Sequence, residues 1–114
     1  MNVDLTINSI LSEKNVAGIL VYLYVFGPRT RTELYRSVSS NPRMPVKLQM
    51  LIDYGIVREG KKCYNGMRTV ELSDLGRKYA SYLCDMEKML GGSLEAYKWN
   101  IIKMNVQSTG ARVK

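Results

Sequence analysis

No histidine occurs in the 114 residues, so the side chain that most readily exchanges a proton near neutral pH is missing. Cysteine is scarce too, with Cys63 and Cys84 the two present. Two thiols without histidine make neither a zinc cluster nor a disulfide framework. No glycine-rich phosphate loop follows a strand pattern, and no two carboxylates have a spacing that suggests a cleft. The expectation is therefore a protein that is not an enzyme and holds no metal or cofactor. Long apolar runs are also absent. The longest, Val16 to Phe26, has 11 residues, against the roughly 18 needed to span a membrane. It reads as a buried helix, and no membrane is expected as a partner. The opening Met-Asn-Val-Asp lacks the basic region of a secretory signal, which makes the cytoplasm the expected compartment.

What is present is a chain of single-domain size, 46% apolar, with a formal charge of +7. The charge is not evenly spread. Arg29, Arg31, Arg36, Arg43, Lys47, Arg58, Lys61, Lys62 and Arg68 face only Glu33, Asp53 and Glu59 within the same stretch, so 9 minus 3 gives +6 there and +1 elsewhere. A concentration of this kind is the electrostatic signature of a phosphate-binding face, although charge alone is equally compatible with a solvated basic surface.

The excess surrounds a short amphipathic segment. Pro45 suits a first helical position and Gly55 the left-handed residue that ends a helix. Met44, Leu48, Leu51 and Tyr54 between them share one face, which leaves Arg43, Val46, Lys47, Gln49 and Met50 on the others. Ahead of it, Thr30 and Glu33 have the spacing of a capping box, so a helix starts near Arg31 and points Leu34, Tyr35 and Val38 inward before Ser39-Ser40-Asn41-Pro42 closes it. Two short helices joined by a tight turn, the second bordered by positive charge, match a helix-turn-helix.

Upstream, residues 3 to 11 alternate as far as Ile7 and read as a short strand or an irregular arm. A helix is expected from Ser12-Glu13 to Gly27-Pro28, with a stripe of Val16, Ile19, Leu20, Leu23 and Phe26. Downstream, Ile56-Val57-Arg58-Glu59 and Met67 to Leu72 are extended, with Val70 and Leu72 inward. Asn65-Gly66 between them is a strong hairpin signal, and Lys61, Lys62 and Arg68 make that hairpin a positive finger. Ser73-Asp74 caps a helix with Leu75, Tyr79, Tyr82, Leu83, Met86 and Leu90 along one side. Gly91-Gly92 breaks it. A last helix carries Leu94, Tyr97, Ile101 and Met104 on one stripe and Trp99, Ile102 and Val106 on another. One small domain hardly buries both, and a second copy of the chain is the simplest partner for the surplus. Residues 107 to 114 read as a disordered basic tail.

The order of Thr-Arg-Thr-Glu-Leu-Tyr (30 to 35), Leu48-x-x-Leu51-x-x-x-Gly55-Ile-Val, Asn65-Gly66-x-Arg68 and Val70-x-Leu72-Ser-Asp-Leu-Gly76-Arg resembles the winged helix-turn-helix regulators of the MarR, ArsR and PadR type. The resemblance covers about residues 10 to 90. It implies a mainly α fold with a small β-hairpin (α+β): a DNA-binding domain over 10–90, a C-terminal dimerisation helix over 91–106 and the tail beyond. It also implies a homodimer that binds double-stranded DNA to regulate transcription. By position Arg43, Val46, Lys47 and Gln49 fall where the family meets bases and nearby phosphates, and Arg68 is the wing arginine. From the residues themselves, Arg29 and Arg31 are expected to pin the backbone near a helix start, and Lys61 and Lys62 are phosphate-contact candidates for which an ordinary lysine-rich turn is an equal reading. Leu94, Tyr97, Trp99, Ile101, Ile102 and Met104 are the dimerisation candidates.

This sequence departs from that pattern at Pro42, Pro45 and Val46, where such regulators usually show hydrogen-bonding side chains. Arg43 and Gln49 remain as donors to guanine and adenine edges, and Val46 can touch a thymine methyl. The same apolar residues motivate the competing expectation, a winged-helix module that binds a protein and no DNA. Tyr35 and Tyr54 read as core, and Met44, Met50, Met86 and Met89 as packing. Cys63 near the wing has no second cysteine close in sequence, and Cys84 falls in an apolar helix pattern. Nothing in the sequence specifies an effector.

Overall fold

Local signals in the chain set most of the element boundaries of the computed structural model, which describes the backbone of residues 5–113 and the side chains of residues 5–107. The elements are α1 (Thr6–Leu11), α2 (Val16–Phe26), β1 (Arg29–Thr30), α3 (Arg31–Ser37), α4 (Met44–Asp53), β2 (Val57–Lys62), β3 (Arg68–Leu72), α5 (Asp74–Met89) and α6 (Leu94–Val113). At the start of α3 the capping box closes in both directions. Glu33 N–H donates to Thr30 Oγ1 at 3.2 Å and Thr30 N–H to Glu33 Oε1 at 3.0 Å, which satisfies two first-turn donors. At the end of α4, Gly55 takes φ 75° and Ile56 N–H bonds back to the Leu51 carbonyl at 3.0 Å, the bond of a Schellman stop.

The sheet is antiparallel in the order β1-β3-β2. It has one strand more than the expected hairpin: Arg29 and Thr30 pair with Val70 and Thr69, so the residues before α3 form an edge too short to show a sequence alternation. Val57, Val70 and Leu72 point into a core shared with Ile19, Leu20 and Leu23 of α2, Leu34 of α3 and Met44, Leu48 and Leu51 of α4.

Several expectations are corrected. Residues 6 to 11 form α1 rather than a strand or irregular arm, packed on α2 through buried Ile10. A helix of 6 residues is shorter than the two turns in which a 3.6-residue period shows itself. Val3 and Asp4 of that stretch lie outside the described residues. The second helix starts at Val16, after Asn15 in the left-handed region at φ 74°, a conformation asparagine tolerates better than most residues. Tyr54, expected in the core, caps α4 and is 41% exposed, because the chain turns away at Gly55 before completing the next helical turn.

The face of α5 is also different. The buried positions are Gly76, Ala80 and Cys84, while Tyr79 and Leu83 are half-buried and Leu75, Tyr82, Met86 and Leu90 are exposed. Small side chains let α5 approach the rest of the fold closely. Ser73 seats its first turn: the Ser73 hydroxyl donates to the Gly55 carbonyl at 2.6 Å and accepts from the Gly76 N–H at 3.0 Å. A Cβ on Gly76 would collide with the Ile56 carbonyl oxygen. The last helix runs to Val113, beyond residue 106 where it was expected to end, so residues 107 to 113 continue α6 instead of forming a disordered tail. Lys114 lies outside the described residues.

Two outcomes follow from this packing. Gly76→Ala drives a methyl into backbone that cannot yield cheaply, so unfolding by urea should show a loss of about 1–3 kcal/mol with a cooperative transition retained. Tyr97 is half-buried, and burial, assisted by Tyr22 and Cys84, raises its pKa from 10.0 to about 12. The folded state thus holds the phenolic proton more tightly than the unfolded chain does. This contribution is fully present below pH 10 and is lost as pH rises toward about 12. The thermal midpoint should fall more steeply over that window in the wild type than in Tyr97→Phe.

Candidate nucleic-acid interface

The turn between α3 and α4 is built from side-chain bonds to its own backbone. Ser39 Oγ accepts from the Asn41 N–H at 3.1 Å, Asn41 Oδ1 accepts from the Arg43 N–H at 2.8 Å, and the Asn41 carbonyl accepts from the Met44 N–H at 2.9 Å. Asparagine and serine commonly close turns in this way. Pro45 is the second residue of α4, where the absent N–H costs nothing.

From that turn α4 presents Pro42, Arg43, Pro45, Val46 and Gln49 to solvent. Lys47 is not among them. It was expected on the exposed side, yet it is 4% exposed, and its Nζ donates to the Lys14 carbonyl at 2.8 Å. Its aliphatic stem packs inward and its ammonium satisfies the loop between α1 and α2, the usual way an amphipathic side chain divides itself. Arg43 reaches the same loop from the surface, 3.9 Å from Glu13 Oε1, and remains well exposed. Gln49 Nε2 donates to Asp53 Oδ1 at 2.9 Å.

The wing turns through Cys63–Gly66. Gly66 N–H bonds to the Cys63 carbonyl at 2.9 Å, Cys63 N–H to the Met67 carbonyl at 2.6 Å, and Gly66 takes φ 86°. This is a tight turn with glycine in its left-handed position. β2 and β3 slip register between Glu59 and Lys62, a local irregularity of the kind that increases strand twist. Gly60 sits in that irregular stretch under the Glu71 carboxylate and the Thr69 hydroxyl, where a Cβ would crowd both. Lys61, Lys62 and Arg68 are exposed, and Arg68 Nη1 rests on the Gly60 carbonyl at 3.3 Å. Tyr64, fully exposed at the tip, was missed by the sequence reading. Its position beside Asn65-Gly66 in the turn was the available signal.

The cations that have a tertiary partner fall mainly into two groups. Arg43 and Lys47 are tied to the loop before α2. Arg31, Arg58 and Arg68 are tied to the sheet, where Arg31 pairs with Glu59 at 3.1 Å and Arg58 with Glu71 at 2.9 Å. Arg29, in β1, is half-buried with its guanidinium 5.7 Å from the Phe26 ring centroid. Glu13 and Glu71 lie outside the stretch whose charge sums to +6, so folding brings in two carboxylates that a linear count omits. Exposed pairs of this type contribute little and exchange readily with other anions.

On α6, Leu94, Tyr97, Ile101 and Ile102 are half-buried in the protomer, whereas Trp99, Met104 and Val106 are exposed. Trp99 Nε1 donates to Glu95 Oε1 at 2.8 Å. Leu5, Ile7 and Leu11 of α1 and Met86, Met89 and Leu90 of α5 add further exposed apolar area. Burial raises the pKa of the Cys84 thiol, which keeps it protonated and unreactive. No helix among the described residues is long and apolar enough to cross a membrane.

The arrangement defines a winged helix-turn-helix, and comparison with solved structures agrees. The chain is similar to MepR, a transcription regulator of the Staphylococcus aureus multidrug efflux pump MepA, with a TM-score of 0.58 and 16% identity over 95% of this chain and 84% of that one. It is also similar to reduced AbfR bound to DNA, with a TM-score of 0.53 and 15% identity over 94% of this chain and 79% of that one. The disulfide-formed state of AbfR gives a TM-score of 0.53 and 16% identity over 93% and 75%. No family model and no curated protein sequence matches the chain. The likeness is one of fold: mainly helical, with a small antiparallel sheet.

Lys47→Ala should act on stability rather than on any anion-binding surface. It strands the Lys14 carbonyl and removes a buried stem, so denaturant unfolding should report a loss of about 1–3 kcal/mol. Lys47→Met, which keeps the stem, should recover part of it.

Proposed function

We propose that the protein binds double-stranded DNA as a homodimer in the cytoplasm and regulates transcription, with no catalytic activity of its own. Each protomer lays α4 in a major groove and its wing along the flanking backbone or minor groove, and two half-sites lie about one helical turn, roughly 34 Å, apart. The observation that carries this reading is the exposed cationic wing beside a helix-turn-helix. Lys61, Lys62 and Arg68 project from β2 and β3 with no carboxylate in ion-pair range among the described residues. The fold it shares with transcription regulators, one of them solved on DNA, supports the same reading.

Arg31 and Arg43 join as phosphate contacts by exchanging Glu59 and Glu13 for DNA, and Arg29 pins the backbone near the start of α3. Lys47 is left out, since its ammonium is committed to the Lys14 carbonyl. The dimer uses the exposed side of α6, with Trp99 and Met104, together with apolar residues of α1 and the end of α5. Leu94, Tyr97, Ile101 and Ile102 back that surface from within the protomer. Exposed apolar area of this extent on so small a domain suits a second copy.

The test is selection of duplexes from a random pool, followed by titration of the selected duplex at several salt concentrations. A palindrome should emerge, and log affinity should fall against log salt with a slope of about 0.9 per phosphate contact, for about five to seven contacts per protomer. Arg68→Ala should weaken binding and reduce that slope by about 1 with the fold unchanged. No enrichment, or binding without salt dependence, would leave the protein-binding module as the better description.

A further inference from the structure

The outward strip of α4 carries less hydrogen-bonding capacity than its composition suggests. Pro45, Val46 and Gln49 are exposed at spacings that share one side of α4, and exposed Pro42 lies in the turn just before it. Neither proline has an N–H, and the side chain of Val46, 60% exposed, is hydrocarbon throughout. Gln49 has an amide, but its Nε2 is given to Asp53 one turn further on. What it still offers outward is its second amide N–H and its carbonyl oxygen, beside a carboxylate. Lys47 is turned inward to the Lys14 carbonyl. Arg43, at the position before α4, is the remaining charged donor, and it approaches from the edge of the strip.

A carbon-rich strip with the exposed Arg43 at its edge complements a polyanion that displays apolar groups between its phosphates. In the major groove of DNA the group that fits is the C5-methyl of thymine. Residues near the N-terminus of a recognition helix are the ones that meet base edges, and Pro45 and Val46 are the second and third residues of α4.

We infer that α4 distinguishes base pairs chiefly through contact of Val46 and Pro45 with thymine methyl groups, with hydrogen-bonded readout confined to Arg43 and the remaining amide groups of Gln49. This rests on the proposal that α4 enters the major groove, and it narrows that proposal to the kind of site recognised. Replacing thymidine by deoxyuridine removes the methyl and leaves pairing, hydrogen-bonding groups and phosphates in place. Burying one methyl changes affinity by about two- to fourfold, so a dimer that contacts one thymine methyl in each half-site should show a clear loss.

The experiment uses the full chain and a duplex selected from a random pool, amplified once with thymidine and once with deoxyuridine triphosphate. Wild type should bind the thymine duplex about four- to tenfold more tightly. Val46→Ser, at an exposed position where circular dichroism should show an unchanged fold, should bind the two duplexes with affinities within about twofold of each other. Equal binding of both duplexes by the wild type overturns the inference, as does discrimination that survives undiminished in Val46→Ser. Failure of the wild type to bind either duplex, or to enrich any duplex from the pool, overturns the DNA-binding proposal itself and the inference with it.

Discussion

The contact on which the rest of the fold depends is the seat of α5 on the two residues that follow α4. Ser73 bonds to the Gly55 carbonyl, its N–H bonds to the Ile56 carbonyl at 3.0 Å, and Gly76 lies against that same carbonyl with no room for a side chain. Gly55 ends α4 and Ile56 leads into β2, while Ser73 follows β3. Both ends of the wing and the end of α4 are therefore fixed at one junction. Because α5 then runs on through Ala80 and Cys84, the angle between wing and α4 is set by backbone contact rather than by long side chains that have several rotamers.

A second constraint works from the other end of α4. The loop between α1 and α2 is held by Lys47 from inside and by Arg43 from outside. α1 thereby becomes part of the frame that holds α4, although it is one and a half turns long and buries only Ile10 deeply. The same segment exposes Leu5, at the N-cap of α1, with Ile7 and Leu11 of the helix.

How much of this was legible in the sequence depends on range. The capping box at Thr30 and Glu33, the Ser73 cap, the stop at Gly55 and the turn at Asn65-Gly66 are written in neighbouring residues, and each stands where expected. The large apolar residues of α5 point to a different face from the one that makes the close contact, which uses Gly76, Ala80 and Cys84. Lys47 was misplaced for a related reason: a helical wheel sends lysine outward, but the carbonyl that receives it is 33 residues earlier in the chain. The pairing of Arg43 with Glu13 and of Arg58 with Glu71 is equally non-local, so the charge density around α4 and the wing is lower than the linear count implied. The third strand was missed because two residues carry no period.

Under the proposed DNA-binding role, the division of α4 into fixed and open positions bears on how that specificity would drift or be redesigned. Met44, Lys47, Leu48 and Leu51 belong to the scaffold and resist exchange, while Pro42, Pro45, Val46 and Gln49 form an interchangeable cassette with few structural obligations. A new target preference is therefore reachable through a handful of substitutions that leave the scaffold untouched. A wholesale helix transplant would discard the lysine that anchors the segment and would fail before its new contacts were ever tried.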